Sequence, residues 1–97
     1  KVFLHFYANW CGYCRKMAKD TFQDPSVVSY LNENFIAIRV DFDKENEIAS
    51  RYDVRGLPST WFLTQTEERI GNVPGYIPPQ ALLSILKEVQ LAESGNL

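Results

Sequence analysis

Val2-Phe3-Leu4-His5-Phe6-Tyr7-Ala8-Asn9-Trp10-Cys11-Gly12-Tyr13-Cys14 decides the fold of this 97-residue chain. Residues 1–7 do not alternate polar and apolar side chains. That pattern predicts a strand buried on both faces, as in a parallel sheet. The pattern then turns helical from Cys11 to about Lys19, with Met17 and Ala18 among Arg15, Lys16 and Lys19. The cysteines therefore open a helix directly after a strand. A thiol at that point faces unpaired backbone N–H groups and the positive end of the helix dipole, both of which favour thiolate. Cys14, three positions on, shares a side of the helix with Cys11 and can close a ring with it. Such a pair can hold two electrons and release them, which points to thiol–disulfide exchange.

Outward from this stretch, Asp24-Pro25 reads as an N-cap followed by proline at the first helical position, opening a helix to about Leu31. Phe35 to Phe42 predicts the next strand. Lys44 to Tyr52 predicts a short helix with Ile48 and Tyr52 on one face. Gly56-Leu57-Pro58 breaks the chain before a strand over Ser59–Leu63. A polar turn at 65–68 leads to an antiparallel edge strand from Arg69 to Val73. Pro78-Pro79 opens a last helix to about Ala92, with Leu82, Leu83, Ile85, Leu86 and Val89 as its buried stripe. Residues 94–97 read as a frayed tail. The order β-α-(α)-β-α-β-β-α predicts an α/β fold, one sheet with helices on both faces. No repeat or linker divides it, so residues 1–97 are expected to form one domain.

Composition narrows the chemistry. A net charge of -2 and scattered basic residues leave no footprint for nucleic acid. The apolar runs fall far short of the ~20 residues of a membrane span, and no signal peptide opens the sequence. With 45% hydrophobic residues, a chain of this size buries roughly 60–65% of its unfolded surface, enough for a core without staples. Only two cysteines are present, so no second pair forms a structural disulfide. His5 is the one good further ligand for a zinc site that would need four. No metal and no bound cofactor are expected.

Four features in the right order resemble thioredoxin: Trp10-Cys11-Gly12-Tyr13-Cys14 after an apolar strand, Val40-Asp41-Phe42-Asp43, Arg55-Gly56-Leu57-Pro58, and Gly75 before the last helix. Tyr7-Ala8-Asn9-Trp10-Cys11 together with Thr21-Phe22-Gln23-Asp24-Pro25 is similar to the C-terminal domain of the bacterial transmembrane thiol:disulfide interchange protein and related envelope thioredoxins. The resemblance implies a thioredoxin fold with a central mixed sheet, lacking that family's N-terminal strand and helix. It also implies a periplasmic or envelope location, with the cytoplasm as alternative. The expected partners are protein disulfide or dithiol substrates and a protein electron donor, with a monomeric chain that does not itself enter the membrane.

The resemblance assigns roles residue by residue. Cys11 is the attacking, more exposed thiol and Cys14 the more buried resolving one, the redox-active disulfide itself being the carrier. Pro58 aligns with the family's cis-proline, leaving the Leu57 backbone free to pair with an extended substrate. Trp10, Gly12, Tyr13, Gly75 and Tyr76 complete that groove, although Gly75 also reads as a simple turn and Tyr13 as a cover over the sulfurs. His5 stands six positions before Cys11, where thioredoxin has a buried aspartate that moves a proton. An imidazole there either exchanges that proton or fills the core as a neutral, hydrogen-bonded ring. Arg39 reads as a rim residue, and Asp41 and Asp43 as caps rather than a metal pair. Reductase, oxidase and isomerase share these motifs. The competing reading is a non-catalytic binding module, or a chaperone for thiols or a soft metal such as Cu(I).

Overall fold

The computed structural model describes residues 1–95. Its sheet is built round β1 (Val2–Tyr7), which runs parallel to β2 (Ile36–Asp41) and antiparallel to β3 (Ser59–Leu63). β4 (Arg69–Pro74) adds antiparallel to β3, giving the order β2-β1-β3-β4. The sheet is therefore mixed, with helices against both faces. Burial on both sides explains the unbroken apolar character of β1: Phe3, Leu4, His5 and Phe6 are all buried. Its two faces feed two different cores. Phe3 packs with Phe62, with Met17 of α1 (Gly12–Lys19), with Val27 and Leu31 of α2 (Pro25–Asn34), and with Leu82 and Leu86 of α4 (Pro79–Gly95). Leu4 and Phe6 instead pack with Val40, Leu63, Ala49 of α3 (Asn46–Arg51) and Tyr52 at that helix's end.

Element boundaries depart from the sequence pattern where hydrogen bonds override it. α2 runs past Leu31 to Asn34, because the Phe35 N–H still bonds the Leu31 carbonyl and the Asn34 amide bonds that of Tyr30. β2 is correspondingly shorter than residues 35–42 and forms an edge of the sheet, its Ile36 and Ile38 exposed. α3 starts late because the N–H groups of Lys44 and Glu45 both bond the Asp41 carbonyl, closing a turn first. α4 continues beyond Ala92, since nothing from there to Gly95 interrupts it. Of the tail expected over 94–97, Ser94 and Gly95 are thus helical and residues 96–97 lie outside those described. Asp24 caps α2 as its position predicts, accepting from the N–H groups of Ser26 and Val27 at 3.0 and 3.2 Å.

Candidate active site

Cys11 is the N-cap of α1, with extended backbone at φ -83° and ψ 115°. Its Sγ accepts a hydrogen bond from the Cys14 N–H at 3.1 Å. In an ordinary helix a serine or aspartate oxygen takes that bond; here the sulfur does. The same donor that caps the helix is therefore aimed at the atom that would carry the thiolate charge. Cys11 is also held at both backbone ends, its N–H on the Ala8 carbonyl and its own carbonyl on the Arg15 N–H, each at 3.1 Å. Cys11 and Cys14 are joined as a disulfide with Cα atoms 5.2 Å apart, inside the range such a bridge spans.

One expectation needs correcting. The sequence places Cys11 outside and Cys14 inside, but the structure buries them almost equally, at 6% and 5% exposure. Ring closure pulls each sulfur onto the other, and Ala8, Tyr7, Phe42 and Leu57 pack round both. Cys14 also borders a cleft of about 70 Å³ lined by Tyr7, Asn9, Arg15 and Arg39. That gives the second cysteine its own polar route to solvent. Arg39 is exposed, as its rim reading predicts, and its guanidinium lies 4.2 Å from the centroid of the Tyr7 ring.

The loops opposite α1 come together at Pro58. The Leu57–Pro58 peptide bond is cis, Pro58 is fully buried, and its carbonyl accepts from the Gly75 N–H at 2.7 Å. Gly75 has φ +91°, a region in which side chains are strained, so glycine is required for this turn. The turn expected at Gly75 is present, and it brings the residue to Pro58. Among the described residues, neither the N–H nor the carbonyl of Leu57 has a hydrogen-bond partner, and its side chain packs by the cysteines. An unpaired backbone edge thus lies next to the disulfide.

Exposed aromatics surround it. Trp10 and Tyr13 are 63% and 64% exposed. Trp10 is not loose, because its Nε1 donates to Asp43 Oδ2 at 2.9 Å. Asp41 Oδ1 in turn accepts from the Asp43 N–H at 3.0 Å, so this acidic pair turns the loop and holds a tryptophan. Tyr13 reaches Tyr76, with ring centroids 6.3 Å apart. Tyr76 Oη donates to Asp20 Oδ2 at 3.2 Å, and Lys16 bridges to the same carboxylate oxygen at 2.9 Å. The Lys16–Asp20 spacing was readable as a helical i,i+4 pair. The anchoring of Trp10 by Asp43 and of Tyr76 by Asp20 was not, since those contacts join residues far apart in the chain.

His5 lies in the core rather than in this rim. Its Nδ1 is 3.1 Å from Thr60 Oγ1, its cross-strand partner, and its ring meets Phe22 edge-on at 4.9 Å and stacks on Phe3. Among the described residues this is its one hydrogen bond, and it is not to a sulfur. Burial, reinforced by the nearby Arg39 charge, pushes its pKa down from 6.5 to about 4. The imidazole is neutral at pH 7, so no imidazolium is present to stabilise a thiolate. Among the described residues, no three metal-ligating side chains converge, and no helix is long and apolar enough to cross a membrane.

Known proteins resemble this chain in sequence and fold. A family model described as a thioredoxin-like domain matches residues 1–90. The chain is 36% identical to a thioredoxin of Mycoplasmoides gallisepticum over 90 residues, covering 90% of this chain and 82% of that protein. It is also 36% identical over 58 residues to a protein disulfide isomerase-like 5-2 of Oryza sativa subsp. japonica, covering 60% of this chain but 14% of that protein. A thioredoxin structure from Thermus thermophilus superposes with a TM-score of 0.81 at 29% identity, covering 98% of this chain and 75% of its own. These likenesses and the bridged pair at the mouth of α1 support thiol–disulfide oxidoreductase activity. By family match, fold and cysteine geometry alike, the chain belongs to the thioredoxin-like domain family.

Proposed function

We propose that this chain exchanges disulfides with protein substrates through a mixed disulfide on Cys11. The carrying observation is the Cys14 N–H···Sγ Cys11 bond, which directs a helix N-terminal donor at one of the two sulfurs. In the reduced form, the Cys11 thiolate attacks one sulfur of a client disulfide. That bond breaks, a Cys11–client bond forms, and the departing client thiolate takes up a proton. Cys14 then gives its proton to water, for which the cleft it shares with Arg15 and Arg39 offers a route. Its thiolate attacks Cys11 Sγ, closing the protein disulfide and releasing the second client thiol. Two electrons have passed to the client, whose two thiolates take up their protons from water, and a donor protein restores the dithiol.

The unpaired Leu57 backbone is the natural place for an extended client to bond, flanked by Trp10, Gly12 and Tyr13 on one side and Pro58, Gly75 and Tyr76 on the other. His5 then serves as a neutral core residue rather than as the proton acceptor. The resemblance carried by residues 7–11 and 21–25 supports a cell-envelope location, and fractionation with compartment markers tests it against the cytoplasm.

The test is insulin reduction with dithiothreitol as donor. The parent should accelerate precipitation of the insulin B chain, and Cys14→Ser should lose that acceleration. A parent no faster than the variant leaves the binding-module reading in its place.

A further inference from the structure

Tyr76 is held from three directions. Its hydroxyl donates to Asp20, the Lys16 ammonium sits 4.9 Å from its ring centroid, and the Tyr13 ring centroid lies 6.3 Å from its own. Lys16 belongs to the helix that Cys11 opens and Asp20 is its C-cap, whereas Tyr76 follows the turn that Gly75 bonds to Pro58. The contacts therefore tie the far wall of the groove to the helix of the nucleophile. Because Lys16 is neutralised by Asp20, the joined face of Tyr13 and Tyr76 is aromatic rather than cationic. Tyr13 is exposed and Tyr76 half-buried, and an aromatic pair already fixed in place loses little further freedom when a client side chain packs on it.

We propose that Tyr13 and Tyr76 form an aromatic ledge beside the cysteines that selects client segments carrying an aromatic or large apolar side chain next to the reacting cysteine, with Asp20 and Lys16 as positioning residues for Tyr76. This deepens the exchange reading and rests on it. Asp20 acts through the Tyr76 hydroxyl, which separates its effect from a general loss of stability. The acidic alternative, in which Lys16 attracts carboxylates, is opposed by the ion pair that already occupies it.

The experiment compares three synthetic peptide disulfides whose cysteine is flanked by Phe, Ser or Asp, each reacted with the pre-reduced domain, the rate of peptide-thiol release being read. In the parent, Phe should exceed Ser by about three- to tenfold, the range of aromatic pair interactions, with Asp no faster than Ser. Tyr76→Ala should bring the Phe:Ser ratio close to one. Tyr76→Phe, which breaks only the tether, should lower the ratio by about two- to threefold, in line with an exposed contact, at unchanged thermal midpoint, and Asp20→Ala, which removes the tether and the partner of Lys16 together, should lower it at least as far. A ratio that survives Tyr76→Ala, or an Asp peptide that reacts fastest, overturns the ledge. Glutathione disulfide run in parallel reports exchange itself. If the domain reduces neither it nor the peptides, the exchange reading fails. The ledge is then judged by equilibrium binding of the same peptides, with serine for cysteine, to the oxidised domain, where a Phe peptide no tighter than the Ser peptide refutes it.

Discussion

His5 makes a sharp prediction because its folded and unfolded states bind protons so differently. Its pKa is 6.5 in an open chain and about 4 in the folded one. As pH falls below 6.5 the unfolded chain takes up a proton at this ring and the folded chain does not. Stability from this group is therefore fully present above 6.5, falls with pH between 6.5 and 4, and changes no further below 4. Linkage with these two values removes about 2 kcal/mol between pH 7 and pH 5, and about 3 kcal/mol by pH 4. The perturbation is His5→Asn, whose amide can still bond Thr60 Oγ1 but does not titrate. It leaves a small void, a cost that does not vary with pH. Urea unfolding of the oxidised parent and variant at pH 4, 5, 6 and 7 gives the stability difference at each pH. Carboxylates titrate alike in both and cancel. The advantage of the parent over the variant should shrink by those amounts as pH falls. Parallel profiles would mean that His5 is not a buried neutral ring.

Two further outcomes follow from the local geometry. Asp24→Ala removes the acceptor for two N–H groups at the start of α2 and should cost about 1 kcal/mol in urea unfolding. Gly75→Ala meets no neighbouring atom, so its cost is backbone strain alone, about 1–2 kcal/mol. A neutral result there would mean that the turn readily leaves φ +91°.

The readable parts of this fold were those set by local chemistry. The unbroken apolar run of β1, the Asp24-Pro25 helix start and the apolar stripe of α4 each carry their own physical signature and sit where their residues predict, except that Leu83 and Ile85 of the stripe are half-buried while Leu82, Leu86 and Val89 are buried. Boundaries were less legible, because they depend on single hydrogen bonds such as Phe35 to Leu31, which extends α2 at the expense of β2. The site divided along the same line. Cys11 at a helix mouth is a local fact. The near-equal burial of the two sulfurs is set by Phe42 and Leu57, brought in from distant segments. His5 lies between these cases: its position was plain, but its neutrality depends on Phe3, Phe22 and Thr60 closing round it. The local signals of Asp43, a cap at a strand end, and of Asp20, a helical partner for Lys16, did not point to the aromatics they hold. Their importance comes only from the aromatic each one holds.

The central claim is that one sulfur attacks and the other resolves. Trapping tests this most directly. Reduced Cys14→Ser and Cys11→Ser variants are mixed with a disulfide-bonded protein client, quenched in acid, and assayed for the covalent adduct. The account predicts that Cys14→Ser accumulates a mixed disulfide at Cys11, because its attacker is intact and its resolver is gone, while Cys11→Ser yields little. Equal trapping by the two variants, or a stronger adduct through Cys14, would contradict it.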